Sequence, residues 1–257
     1  MPKAVHVIGN GDSAAFYKDH PRKGLKLICN VPPFDVPEAY ASCIVDFKMM
    51  HTINKGEINP PGEWICGMRP KMYCDKHPIF YMKHANRIKE FYTKKPSYAA
   101  NYTDFNCGHM AVYYACQKLK AEYVHMWGFD SILDFNLRSY TDLVLPSDRG
   151  GMNNHRLSEN WRPLWRNMFN DFSDGRTQFI LHHFHDSLKF PVGDNVKIEV
   201  HEKKHNKTKR YKGLSKKYLH NILQVYFKNE QMAKELCKFI YNNRECKEHV
   251  YLSKTKK

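Results

Sequence analysis

The sequence predicts an α/β protein built on one parallel β-sheet. Short apolar runs alternate with helix-like segments along the first 190 residues, a pattern typical of strands joined by helical crossovers. The first run, Ala4–Ile8, leads directly into a glycine-bracketed turn and then a helix-prone segment. With 257 residues, the chain is long enough for one such domain and a smaller appendage.

The turn after the first predicted strand, residues 9–13, reads Gly-Asn-Gly-Asp-Ser. Glycines let backbone N–H groups approach an anion, and the N-terminus of a following helix favours negative charge. The third glycine of the dinucleotide fingerprint is missing, and so is the Gly-Lys-Ser/Thr of phosphate-binding loops. The turn therefore indicates nucleotide or phosphate binding, with an ordinary tight strand-to-helix turn as the alternative.

Further elements follow in an order that suits helical crossovers. Strands are predicted at residues 25–30, 42–47, 64–67, 122–130 and 178–183, and helices at 84–92, 108–120 and 158–172. Ligands of parallel sheets lie beyond the carboxyl ends of the strands. We therefore expect Asn10, Asn30, Lys48 and Asp130 to lie near one another at that edge, with a polar loop between Ser131 and Asn154 over it.

Positive charge is concentrated in the last part of the chain. The formal charge is +15, and residues 197–257 hold 17 Lys and Arg against 6 Asp and Glu. Such a segment is typical of proteins that bind a polyanion such as nucleic acid, although a solvated basic surface remains the alternative. We predict a body at residues 1–190 and a basic α+β appendage at 191–257, with a strand at 196–200 and a helix at 230–242.

Eight cysteines are scattered along the chain with no secretory signal upstream, and several fall inside apolar patterns. They predict reduced thiols in a soluble cytoplasmic protein. No apolar run reaches the roughly 20 residues that a membrane span requires.

The sequence predicts no metal site. Cys66, Cys74 and His77 have poor spacing for zinc and lack an evident fourth ligand. A structural role is also favoured over metal binding for the histidines on or just past the strand at 178–183, which are His182, His183 and His185.

Five short motifs between residues 4 and 183 occur in the order found in one glycosyltransferase family. They are the turn at 9–13, Cys29-Asn30, Asn106-Cys107-Gly108, Trp127-Gly128-Phe129-Asp130, and His155 ahead of a helix and a strand. Together they resemble the bacterial family-42 sialyltransferases and, more loosely, a wider group with a Gly-Asn-Gly-Pro-Ser turn that includes pterin diphosphokinase-like proteins. Asp12 stands where the family has proline, and Ser131 stands where family tyrosines are expected.

The resemblance implies a Rossmann-like nucleotide-binding domain of the glycosyltransferase A type that uses a nucleotide-sugar donor without a metal. His155 would be the general base for the acceptor hydroxyl, a role that suits imidazole, and His109 is a second-rank candidate. Asp130 is either catalytic or a cap on the turn. The residues expected to contact the nucleotide, its phosphates or the donor are Gly9, Asn10, Gly11, Ser13, Asn30, Lys48, Asn106, Cys107, Gly108, Tyr140 and Arg149.

We therefore expect an inverting glycosyltransferase that moves a sugar from a nucleotide sugar to an acceptor hydroxyl. The basic C-terminal segment favours nucleic acid as partner, for instance a hydroxymethylated pyrimidine in DNA. One alternative is a sialyltransferase-like enzyme acting on a glycan, and another is a non-enzymatic nucleic-acid-binding protein with a degenerate nucleotide fold. The sequence leaves open the sugar, the donor nucleotide and the oligomeric state, and it predicts no cofactor other than the donor.

Overall fold

The computed structural model describes residues 4–19, 22–31, 34–102, 105–132, 154–188 and 190–202, with backbone alone at 12, 19 and 154–161. The strands are β1 (Ala4–Ile8), β2 (Leu25–Cys29), β3 (Ala41–Ile44), β4 (Glu63–Cys66), β5 (Ile88–Phe91), β6 (Tyr123–Trp127), β7 (Gln178–His183) and β8 (Val196–Val200). They form one eight-stranded sheet in the order β5-β4-β3-β2-β1-β6-β7-β8. Each neighbouring pair is parallel.

Helices cover both faces of the sheet. They are α1 (Ala15–Asp19), α2 (Phe47–Asn54), α3 (Met68–Lys76), α4 (Pro78–His84), α5 (Cys107–Gln117) and α6 (Asn154–Asp171). The chain adds strands to one side of β1 as far as β5 and then returns to the other side at β6. Right-handed crossovers in opposite directions put helices on opposite faces. Accordingly, α5 and α6 pack with Val5 and Val7, whereas α1 packs with Ile8.

The prediction of an α/β fold with a single parallel sheet is confirmed, and most expected elements are present with slightly different ends. The predicted helix at 84–92 is wrong, because α4 ends at His84 and Ile88–Phe91 is strand β5. Sequence periodicity identified an amphipathic segment but not the strand with which it pairs. The exposed edge of β4 supplies the hydrogen bonds that make this segment a strand.

The strand expected at the start of the appendage belongs to the main sheet. Residues 196–200 form β8, which pairs with β7 from Phe179↔Val196 to His183↔Val200. The sheet therefore extends past the expected boundary at residue 191. The rest of the predicted appendage, with its basic loop and the helix at 230–242, lies outside the described residues. Within the described ranges, we find no helix with the length and apolar character that a membrane crossing demands.

Candidate functional site

The order in which the chain adds strands reverses between β1 and β6, which makes their carboxyl ends the place where ligands bind in open α/β sheets. The two strands are in register from Ala4↔Tyr123 to Ile8↔Trp127. Both α5 and α6 lead into strands of this parallel sheet, so each helix begins at the carboxyl edge. The opening turn, the β6 loop and the start of α5 therefore share one edge of the molecule.

The opening turn packs tightly against the loop after β6. Gly9 N–H donates to the Trp127 carbonyl over 2.7 Å, and Gly11 N–H donates to the Gly128 carbonyl over 2.9 Å. A Cβ atom on Gly9 would lie only 2.8 Å from the Gly128 carbonyl oxygen. The glycines thus allow two loops to approach each other, and these two amides are engaged within the protein rather than directed at a phosphate.

Ser13, Asp130 and His183 form a buried polar cluster, the Asp130 clasp. The Ser13 hydroxyl donates to the Asp130 carboxylate and accepts from Gly128 N–H over 3.1 Å. Ser13 N–H also donates to Asp130 Oδ2 over 3.1 Å. On the other side, His183 Nε2 lies 3.3 Å from Asp130 Oδ1. His185 N–H donates to His183 Nδ1, which places the proton of a neutral His183 on Nε2, facing the carboxylate.

Asp130 is buried, with 1% of its surface exposed. Burial by itself would raise the pKa of Asp130, but the contacts with His183 and Ser13 outweigh it and hold the pKa below its usual range. A carboxylate enclosed by its own donors has the geometry of a cap on the turn rather than of an acid or base that meets substrate. The Ser13 hydroxyl is likewise committed to the clasp.

Asn10 and Asn30 follow the neighbouring strands β1 and β2, and the start of α5 meets them there. Asn10 Nδ2 donates to the Cys29 carbonyl over 3.1 Å. Asn30 has φ +56°, a left-handed conformation that asparagine tolerates better than most residues. The Cys107 thiol lies beside Cys29 and the backbone of Asn30, and donates to the Cys43 carbonyl over 2.8 Å.

The first turn of α5 lies close to the loop after β6. The Asn106 side chain caps the helix by accepting from His109 N–H over 3.0 Å. A Cβ on Gly108 would lie 2.8 Å from the Phe129 ring, so glycine lets the helix start approach the β6 loop. Burial raises the pKa of Cys107 well above the ordinary value and keeps it a neutral thiol.

The remaining predicted site residues are distributed as follows. Lys48 is half-buried in the first turn of α2, which begins at the carboxyl edge. His155 is the second residue of α6, in its first turn, and only its backbone is described. Tyr140 and Arg149 lie outside the described residues. His109 is buried and stacks on Trp165 with ring centroids 4.0 Å apart, which makes it a core residue.

Sequence reasoning missed a row of four histidines on the α1 face of the sheet, the histidine row. His125 Nδ1 lies 2.9 Å from His182 Nε2, and His182 Nδ1 lies 2.8 Å from His201 Nε2. His6 stacks on His125 with ring centroids 4.7 Å apart and accepts from the Trp127 indole N–H. His182 also stacks on the Trp127 ring at 3.4 Å.

Burial disfavours the charged form of three histidines in the row, His6, His125 and His182. It lowers the pKa of His125 to about 4 and the pKa of His182 to about 2, with further lowering by neighbouring histidines. Burial also lowers the pKa of His6. The available signal was a histidine in each of three predicted strands, but placing those residues in one row requires the strand order.

Comparisons with known proteins give one match. A family described as "Family of unknown function (DUF5760)" matches residues 191–257, which include β8 and the basic C-terminal segment. No curated protein matches the chain. No solved structure matches it either.

Proposed function

We propose that the chain is a glycosyltransferase that moves a sugar from a nucleotide-sugar donor to a hydroxyl group on nucleic acid. The observation that carries this proposal is the convergence of Asn10, Asn30 and the start of α5 at the carboxyl edge, next to the switch point. In open α/β sheets this is where nucleotides bind. The resemblance of the surrounding motifs to sialyltransferases supports a nucleotide-sugar donor.

Asn30 and α5 offer complementary groups to a nucleotide. Asn30 Oδ1 is buried and has no hydrogen-bond partner within the described ranges. Such an oxygen would accept a hydrogen bond from a ribose hydroxyl or a base N–H. The start of α5, a helix of 11 residues, favours a negative charge and would stabilise the phosphate that leaves the sugar.

The proposed reaction is a single displacement with inversion at the sugar. The acceptor oxygen attacks the anomeric carbon, the bond from that carbon to the donor phosphate breaks, and its electron pair leaves with the nucleotide. His155 takes the proton of the acceptor hydroxyl. Its place in the first turn of α6 supports this role, because α6 packs against the turn at 130–132 beside the switch point.

Nucleic acid is the acceptor that the charge distribution favours. Six Lys and Arg residues lie between 203 and 212, directly after the last described strand. Contacts from such residues to phosphates bind nucleic acid with little dependence on sequence. A hydroxymethyl group on a pyrimidine points into the major groove, so an enzyme would reach its hydroxyl without flipping the base.

A second candidate function is nucleic-acid binding without catalysis. The observation that favours it is the opening turn itself, because the Gly9 and Gly11 amides and the Ser13 hydroxyl are engaged with the β6 loop and Asp130. A nucleotide fold whose turn is closed in this way would keep its architecture without binding a donor.

Thermal unfolding with a panel of nucleotides separates these two functions. A donor nucleotide at 100 times its Kd should stabilise the protein by about 2.7 kcal/mol. Asn30→Gly keeps the left-handed backbone favourable and removes the amide, so it should reduce the stabilisation without unfolding the protein. Lys120→Gly is the matched control, since Lys120 also has positive φ (+52°) but follows the far end of α5. Nucleic-acid binding with no response to any nucleotide would favour the second candidate.

Transfer itself is measured by incubating the full chain with nucleotide sugars and hydroxymethylated DNA, followed by mass analysis of the digested nucleosides. A hexose or pentose mass on the modified base is the expected result. His155→Ala should abolish it and leave DNA binding intact, while His77→Ala, an exposed histidine on another helix end, should have no effect. Labelling of a glycan but not of DNA would show that the acceptor is a glycan. Turnover by His155→Ala would show that His155 is not the general base.

A further inference from the structure

We propose that His182, Glu199 and His201 bind a divalent metal ion of the zinc class at the carboxyl ends of β7 and β8. His182 and Glu199 are register partners on the two strands. His201 follows β8, and its N–H donates to the His183 carbonyl over 2.8 Å, which holds it beside β7. One nitrogen of each imidazole and a carboxylate oxygen therefore meet at one place, with all three atoms within 4.8 Å of one another.

The spacing of the three atoms fits a tetrahedral ion. The two imidazole nitrogens, His182 Nδ1 and His201 Nε2, lie 2.8 Å apart. Glu199 Oε1 lies 3.8 Å from each of them. Bond lengths of about 2.0–2.1 Å to zinc require ligand atoms about 3.3 Å apart in a tetrahedron. The nitrogen–nitrogen distance is shorter than this value, and the two nitrogen–oxygen distances are longer. Two histidines and one glutamate leave a fourth position for water.

The histidine row supplies the second hydrogen bond that a metal-binding imidazole normally makes. When His182 Nδ1 binds the ion, its proton is on Nε2 and donates to His125 Nδ1, 2.9 Å away. His201 then carries its proton on Nδ1, so both imidazoles remain neutral. The ion takes the position of the single proton that the two imidazoles share across their 2.8 Å contact, and that proton moves to a ring nitrogen that faces away from the ion.

Glu199 supplies the negative charge of the site and marks the side from which an ion would enter. Its side chain is 36% exposed, whereas the His182 side chain is fully buried. Arg22 forms an ion pair with the same oxygen of Glu199 that faces the imidazoles. Arg22 therefore competes with the ion for Glu199 and adds a positive charge beside the site. Variants of Glu199 and Arg22 should therefore change the affinity for the ion in opposite directions.

The ion would join the edge strand β8 to β7. It lies on the α1 face, where Phe16 stacks on His201 with ring centroids 4.8 Å apart, and the β7–β8 pair lies beyond the β1–β6 switch point. Its place in the fold does not depend on the proposed transfer reaction. Binding of an ion to the folded chain alone would raise the thermal unfolding temperature.

The test uses the full chain, stripped with a chelator and titrated with Zn²⁺ and, separately, Co²⁺. We expect one ion per chain, a higher unfolding temperature, and a Co²⁺ absorption spectrum without a thiolate-to-metal charge-transfer band. A charge-transfer band would instead assign the ion to the buried cysteines and overturn the proposal. Absence of any binding would overturn it as well.

Variants at partly exposed residues and one buried variant, His125→Phe, locate the ion. Glu199→Gln, at a partly exposed position, should weaken binding at least tenfold, and Arg22→Gln should tighten it. His125→Phe keeps a ring in the row but removes the acceptor for His182, and should weaken binding 10- to 100-fold. His185→Gln, an exposed residue on the same chain segment, is the matched control. Equal binding by Glu199→Gln and the unmodified chain would show that the ion lies elsewhere.

Discussion

Two adjacent histidines of β7 belong to two very different polar clusters. Successive residues of a strand face opposite sides of the sheet, so His183 faces the Asp130 clasp and His182 faces the histidine row. The clasp holds a buried negative charge surrounded by donors from Ser13 and His183. The row holds the neutral imidazoles of His125 and His182 and reaches the surface at Glu199.

The Asp130 clasp holds a loop closed, whereas the histidine row is open to a ligand. A buried carboxylate is tolerated only when its donors are in place, so the clasp has one stable arrangement. The row can admit a cation without moving, because the proton that His182 and His201 share shifts to a ring nitrogen that faces away from the ion. The five predictions below test this contrast and run from the largest expected effect to the smallest.

Asp130→Asn should have the largest effect on stability. The substitution removes the charge that Ser13 and His183 face and inserts an amide N–H₂ group among donors. Breaking one partner of a buried charged cluster costs about 3–5 kcal/mol. Urea unfolding measures the change, and Asp174→Asn, at an exposed carboxylate, is the control. Unaltered stability with loss of transfer would mean that Asp130 acts in catalysis instead.

Acidification should weaken the contacts of the Asp130 carboxylate with Ser13 and His183. The folded-state pKa of Asp130 is lowered relative to the unfolded chain, so its stabilisation is complete above the unfolded value of about 3.9. The stabilisation is lost as pH falls from there through the folded value. Asp130→Asn should therefore unfold with a weaker dependence on pH in this range, and parallel curves for the two proteins would contradict the assignment.

Gly128→Ala tests the packing of the opening turn against the β6 loop. Gly128 has φ +75°, and an added Cβ would lie 2.7 Å from Ala14 Cβ and 2.9 Å from the Gly9 carbonyl oxygen. Gly56 has the same φ with open space around it. Gly56→Ala should cost only the backbone strain of about 1 kcal/mol, and Gly128→Ala about 2–4 kcal/mol. Equal costs, measured by urea unfolding, would show that the two loops separate easily.

His125→Phe tests the histidine row in the absence of metal. It leaves one ring nitrogen of His182 without its partner, 2.9 Å away in the unmodified protein. An unsatisfied buried polar group costs about 1–3 kcal/mol. Thermal and urea unfolding in a chelator measure the loss, and an unchanged free energy of unfolding would mean that the row contributes no net hydrogen bonding.

Arg22→Gln should have the smallest effect. The Arg22–Glu199 pair is more than one third exposed on both sides, and such pairs contribute less than about 1 kcal/mol. Its contribution should fall further as salt screens the charges. A loss above 2 kcal/mol in urea unfolding would show that Arg22 holds β8 in place.

Much of the fold could be predicted from local pattern. Apolar runs identify strands such as Ala4–Ile8, and the run at residues 179–181 identifies β7, because a strand covered on both faces has an apolar centre. The segment at 84–92 could not be predicted, because its strand depends on an edge supplied by β4. At the site, the turn at 9–13 and Asp130 were identifiable as polar ends of predicted strands. That they bind each other, rather than a ligand, follows only from the pairing of β1 with β6.

The sequence by itself determined the α/β class, the positions of the turn and strand ends, and the concentration of charge after residue 196. These depend on side-chain type and on neighbours along the chain. Tertiary structure decided which polar groups meet: it turned Asp130 toward Ser13, aligned His6, His125 and His182, and brought Glu199 beside His182. The reason is that strand order and register, which no local pattern contains, determine the neighbours of every residue in a sheet.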